Sequence, residues 1–138
     1  MTRLQIWYMH VTVLLTTITG AVFAAMKYFM KSDDEFAVVN HPLQPAMFSA
    51  HVVIAPLLLF GLGWTFGNHI WPRYKFAAKK RKSGITSMLL IVPMVLSAYL
   101  LQIATNETLR QAMAAAHWIS SAAFVIGYAI HVLVAKAT

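Results

Sequence analysis

The sequence predicts an all-α integral membrane protein, a four-helix transmembrane bundle, on three observations. Long stretches carry no charged residue, the few charges sort to alternate sides of those stretches, and the connections are too short for another domain. Uncharged segments run from Leu4 to Met26, Ser83 to Asn106 and Gln111 to Ala135, and a fourth lies within Phe36 to Pro72, from about Gln44 to Trp71. Each can supply the roughly 20 residues that a helix needs to cross the hydrocarbon core. With 59% hydrophobic and 11% charged residues, the chain is too apolar for an ordinary water-soluble domain. The predicted helices are residues 4–30, 44–71, 84–105 and 109–136, forming a single domain over residues 1–138.

The first span has Arg3 ahead of it and small residues at Ala24 and Ala25, as a secretory signal would. Its apolar run is longer than the roughly 7–15 residues of a signal core, so it is expected to remain as a membrane span. A loop of about thirteen residues follows, then the second span, which contains Pro56 and Gly61, Gly63 and Gly67. Membrane helices tolerate proline when other partners satisfy the freed carbonyls, and glycine admits close approach by a helix or a flat cofactor. The third span contains Pro93, and a tight Thr105-Asn106-Glu107-Thr108 turn leads into the fourth, with Gly127. Trp7, Tyr8, Trp64, Trp71 and Trp118 fall mostly near span ends, as an aromatic belt does.

The net charge of +7 first raises nucleic acid as a partner, but the positions of the charges exclude it. Arg3, the cluster Arg73, Lys75, Lys79, Lys80, Arg81 and Lys82, and Lys136 fall on one face of a four-pass chain. Lys27, Lys31, Arg110 and all four acids, Asp33, Asp34, Glu35 and Glu107, fall on the other. By the positive-inside rule both termini are cytoplasmic, and membrane lipid is the first partner. Cysteine is absent, which excludes disulfides, iron–sulfur clusters and covalently attached haem within this chain.

Six histidines carry the chemistry. His41, in the outer loop, is read as solvated. His10 and His131 lie about 9 and 8 Å inside the cytoplasmic boundary, and His51 and His117 each about 10 Å inside the outer one. They form two rungs, an outer pair of His51 and His117 and an inner pair of His10 and His131. His117 and His131 are fourteen residues apart on one helix. At about 100° per residue they share a face, with roughly 21 Å between them along the axis.

A lone histidine in a membrane helix is usually a hydrogen-bonding residue. Level pairs without an intramembrane carboxylate point instead to two non-covalent b-type haems with bis-histidine ligation. Neutral imidazoles would meet the iron on both faces, and apolar walls would hold the porphyrin. Thr12, Thr16, Ser120 and Ser121 are available either to bond the other ring nitrogen or to cap helix carbonyls. Arg110 outside, and Arg3, Arg73 or Lys136 inside, could pair with propionates or serve as interfacial anchors. His69 lies eighteen residues after His51, so by counting it shares that face and is the alternative inner ligand. Its place four residues before Arg73 favours His10 as the ligand, leaving His69 for a propionate or quinone contact.

With one histidine on the first helix, one on the second, none on the third and the pair of HWISSAAFVIGYAIH on the fourth, the chain resembles the bacterial cytochrome b561 family of four-helix di-haem membrane cytochromes. The resemblance implies His10, His51, His117 and His131 as axial ligands, quinone as a redox partner, and residence in the bacterial inner membrane within a respiratory chain. Because the short loops leave no room for a substrate domain, the leading expectation is transmembrane electron transfer. The chain would then be the cytochrome b subunit of a larger oxidoreductase, docked with a redox protein or dehydrogenase subunit. The alternatives are a self-contained superoxide- and quinone-linked oxidoreductase, and a haem-free structural or assembly subunit. The chain departs from the family in its minimal loops and in His69.

Overall fold

The computed structural model describes residues 1–76 and 81–136, with the side chains of residues 81–83 and 134–136 left undescribed. Lys79 and Lys80 of the basic cluster, and the side chains of Arg81, Lys82 and Lys136, therefore lie outside the described residues. The chain is all-α. Helix α1 spans Arg3–Tyr28 and α2 Gln44–Thr65; a π-helical turn, Phe66–Ile70, joins α2 to the short α3, Trp71–Phe76. Helices α4, Arg81–Ile103, and α5, Glu107–Lys136, complete the order. Four helical stretches, Arg3–Tyr28, Gln44–Phe76, Gly84–Ile103 and Glu107–Leu133, are long and apolar enough to cross a membrane. They match the four predicted spans, with ends shifted by a few residues.

Two compact units divide the chain, Met1–Trp71 and Pro72–Thr138. The first is the pair α1 and α2. Gln5 reaches Trp64, Tyr8 reaches Leu57 and Thr16 reaches His51, so numbers rise on one helix as they fall on the other, and the pair is antiparallel. The second unit is the pair α4 and α5. Gly84 lies near His131, Ser87 near Gly127 and Met94 near His117, which is again antiparallel.

Local sequence explains where the helices begin. Thr2 and Gln5 form a reciprocal capping box at the start of α1, the Gln5 N–H donating to Thr2 Oγ1 at 3.2 Å and the Thr2 N–H to Gln5 Oε1 at 2.9 Å. Pro45 occupies the first turn of α2, where its missing N–H costs nothing. Asn40 clamps the intervening loop, donating from Nδ2 to the Lys27 carbonyl at 2.7 Å and from its backbone N–H to Gln44 Oε1 at 3.1 Å. Asn106 caps α5 by accepting from the Leu109 N–H at 3.0 Å.

Burial is sorted as in a protein solvated by lipid. Trp7, Val53, Leu89 and Ile119 are exposed along the four spans, whereas Gln5, Thr12, Thr65, Ser97 and Ser120 are buried. Of those buried polar groups, Thr12, Ser97 and Ser120 each donate to carbonyls three or four residues back on their own helix, whereas Gln5 bonds across the first pair.

Small residues set how closely each pair approaches. A Cβ at Gly61 would lie 2.8 Å from Tyr8 Cε1 and 2.9 Å from Met9 Sδ. Tyr8 cannot yield easily, because its hydroxyl donates to the Leu57 carbonyl at 2.9 Å and its ring stands edge-on to Trp64 and Phe60. Gly61→Leu is therefore expected to destabilise the first pair by about 1–3 kcal/mol through overpacking. A lower thermal midpoint in detergent, beside an unchanged midpoint for Gly63→Leu, is the check. Among the described residues, no atom apart from its chain neighbours and its own helix backbone comes within 4 Å of a Cβ placed at Gly63.

The π-turn departs from the sequence expectation, in which the second span ends at residue 71 as one uniform helix. The helical path instead widens at Phe66–Ile70, with the Trp71 N–H donating to the Phe66 carbonyl, and continues to Phe76. Gln5 supports the start of this turn, donating from Nε2 to the Trp64 carbonyl at 3.4 Å and accepting from Asn68 Nδ2 at 3.1 Å.

Candidate functional site

His51 and His117 each occupy the same local arrangement within their own helix pair. His51, on α2, places Nδ1 3.1 Å from the Thr16 carbonyl of α1 and 3.3 Å from Thr19 Oγ1. His117, on α5, places Nδ1 2.9 Å from the Met94 carbonyl of α4 and 3.4 Å from Ser97 Oγ. In each pair the carbonyl belongs to one residue and the hydroxyl to the residue three further on.

The hydroxyls repeat the arrangement too. Thr19 Oγ1 donates to the Leu15 carbonyl at 2.8 Å, with the Thr16 carbonyl at 3.2 Å. Ser97 Oγ donates to the Pro93 carbonyl at 2.6 Å, with the Met94 carbonyl at 3.0 Å.

This geometry decides the tautomer. A carbonyl oxygen has no hydrogen to give, so a ring nitrogen at these distances must be the donor, and Nδ1 carries the proton. Each hydroxyl has already directed its one hydrogen to a carbonyl, so its oxygen also faces Nδ1 as an acceptor. In a neutral ring Nε2 is then the basic nitrogen, the one able to ligate a metal. His41 shows that this state is not general: its Nδ1 accepts from the Leu43 N–H at 3.1 Å, which places the proton of its neutral ring on Nε2. His41 is therefore part of a turn rather than simply solvated.

The His51 ring lies directly against α1. A Cβ at Gly20 would come within 2.8 Å of its Cε1 and 3.1 Å of its Nδ1. Gly20→Ala is expected to push the ring out of line with the Thr16 carbonyl. The ring ¹⁵N resonances of His51 should report a weakened Nδ1 hydrogen bond, and unchanged resonances would show that the ring tolerates the methyl group.

The expected second-ring-nitrogen partners are only partly realised. Thr12 and Ser120 donate to their own helices' carbonyls, as does the Thr16 hydroxyl, at 2.8 Å to Thr12. What Thr16 offers His51 is its backbone oxygen. Thr19, Ser97 and the Met94 carbonyl are partners that sequence reasoning misses, and composition carries no signal for them. A backbone acceptor has no residue type, and Ser and Thr are scattered along all four spans.

His10 is half-buried in α1, beside buried Met9, Thr12 and Val13. With His51 set between Thr16 and Gly20, His10 lies about eight residues along α1, roughly 12 Å in rise. In the second pair, His131 is opposite Gly84, where an added Cβ would sit 3.9 Å from the His131 Cε1. It lies fourteen residues, roughly 21 Å, from His117. The two pairs thus hold their histidines at different intervals.

His69 is within the π-turn, so the uniform 100° count that places it on the face of His51 does not hold. Its neighbour Asn68 bonds Gln5, which puts His69 level with the first turn of α1. Arg3 is exposed at that end. Arg110 is also exposed, and donates from Nη1 to the Ala104 carbonyl at 3.5 Å, closing the end of α4.

Among the described residues, no three His, Cys, Asp or Glu side chains gather as ligands for a bare metal ion. Comparison with family models, with curated proteins and with solved structures finds no match to this chain.

Proposed function

We propose that this chain carries electrons across a bacterial inner membrane through two b-type haems, as the cytochrome b subunit of a larger quinone-linked oxidoreductase. In this reading His51 and His117 ligate an outer haem and His10 and His131 an inner one, and both termini are cytoplasmic. The observation that carries it is the duplicated Nδ1–H arrangement, which prepares Nε2 of both His51 and His117 as a ligand atom. A bound haem supplies reversible one-electron ferric–ferrous chemistry. The chain's part is to present two oriented imidazoles from rigid helices, to line the surroundings with apolar side chains, and to keep ionised carboxylates out of the spans. The positions of Asp33, Asp34, Glu35 and Glu107, all outside the core of the spans, fit that part.

One observation favours a second reading. The contacts of His51 and His117 join α1 to α2 and α4 to α5, so they also serve as hydrogen-bonded staples that a haem-free scaffold would use. A reduced-minus-oxidised spectrum of the detergent-purified chain, with extracted haem counted against protein, separates the two. About two b-type haems per chain supports electron transfer; a chain that never acquires haem during expression with haem supplied is a scaffold.

A further inference from the structure

Resting on that haem reading, we propose that Thr19 and Ser97 are positioning residues that act through His51 and His117, holding the Nδ1–H tautomer and setting the reduction potential of the ligated iron. Neither touches the ligand atom. Each presents a hydroxyl oxygen to Nδ1, at 3.3 and 3.4 Å, after spending its hydrogen on a carbonyl of its own helix. The same three-point device, a carbonyl, a hydroxyl three residues on and an imidazole from the neighbouring helix, is found at His51 and again at His117. It recurs at the two histidines read as outer-rung partners, whereas the loop residue His41 holds its neutral ring in the other tautomer.

The direction of the effect follows from the chemistry. An acceptor on Nδ1–H moves electron density into the ring and makes Nε2 a stronger donor. A stronger donor favours ferric over ferrous iron, as does the polar hydroxyl itself. Replacing the hydroxyl with a methyl or hydrogen removes both influences and raises the potential.

Thr19→Val and Ser97→Ala are compared with Thr19→Ser and Ser97→Thr, which retain the hydroxyl. Redox titration of the purified chain is read beside haem content and the ring ¹⁵N shifts of the reduced protein. The expected result, read on the haem that stays bound, is one midpoint potential raised, by about threefold in the ferrous-to-ferric ratio, or ~28 mV at 59 mV per tenfold for one electron. The hydroxyl-retaining variants should stay at the parent value. Potentials that do not move in the Val and Ala variants, or that move equally in the Ser and Thr variants, overturn the proposal. The tautomer is read separately: Nε2–H at His51 or His117 overturns the proposal with or without haem. Nδ1–H in a chain that binds no haem keeps the tautomer device and discards the electron-transfer reading alone.

Discussion

His117→Ala should purify with about one haem per chain in place of about two, and His51→Ala should do the same. Each removes an imidazole whose Nδ1–H is already bound by a backbone carbonyl, at 2.9 and 3.1 Å, so the ligand atom is lost without replacement nearby. Loss of an outer-shell partner alone typically costs 10–100-fold in affinity, and loss of the ligand itself should cost more. His41→Ala, which alters only a turn, should keep both haems. The scaffold reading makes a contrasting prediction of size: an interhelical hydrogen bond in a membrane is worth on the order of 0.6 kcal/mol. On that reading His117→Ala would cause a small fall in the thermal midpoint and no spectral change. Pyridine haemochrome counting resolves a change of half the haem easily, and full retention in both variants would remove these residues from the ligand set.

The second large effect concerns the inner haem. His10→Ala is expected to remove it, and His69→Ala to leave both haems bound. Along α1 His10 is roughly 12 Å from the level of His51, and the first turn, with which His69 is level, roughly 20 Å, while His117 and His131 are roughly 21 Å apart, so interval by itself does not favour His10. The preference for His10 rests on its place in α1, near buried Met9, Thr12 and Val13 in sequence, whereas His69 is level with the capping box of α1 in a turn braced by Gln5 and Asn68. An apolar site suits a neutral imidazole on a porphyrin better than a polar helix end does. Haem loss from His69→Ala with retention in His10→Ala would exchange the two assignments.

Much of the architecture was legible in the residue string because membrane spans obey a length rule. An uncharged run such as Leu4 to Met26 leaves a helix as the one local structure that satisfies its backbone in lipid. Helix ends were legible to within a few residues from the limits of the uncharged runs, and the structure adds the caps at Thr2 with Gln5 and at Asn106. The π-turn at Phe66–Ile70 was not, because Gly67 and Asn68 weaken a helix without specifying how it will widen. That single turn removes the periodicity on which the face of His69 is counted.

By itself, the sequence determined that the chain is helical, that it has four stretches fit to cross a membrane, and that histidines rather than carboxylates are the ionisable groups within them. Composition and run length suffice for that, because the solvent imposes the constraint. Tertiary structure alone decided which atom meets each imidazole. The helix register, with close contacts at Gly20 and Gly61 in the first pair and at Gly127 in the second, brings the Thr16 and Met94 carbonyls and the Thr19 and Ser97 hydroxyls to Nδ1. A slip of one residue along either helix would turn those acceptors by about 100°, away from the ring.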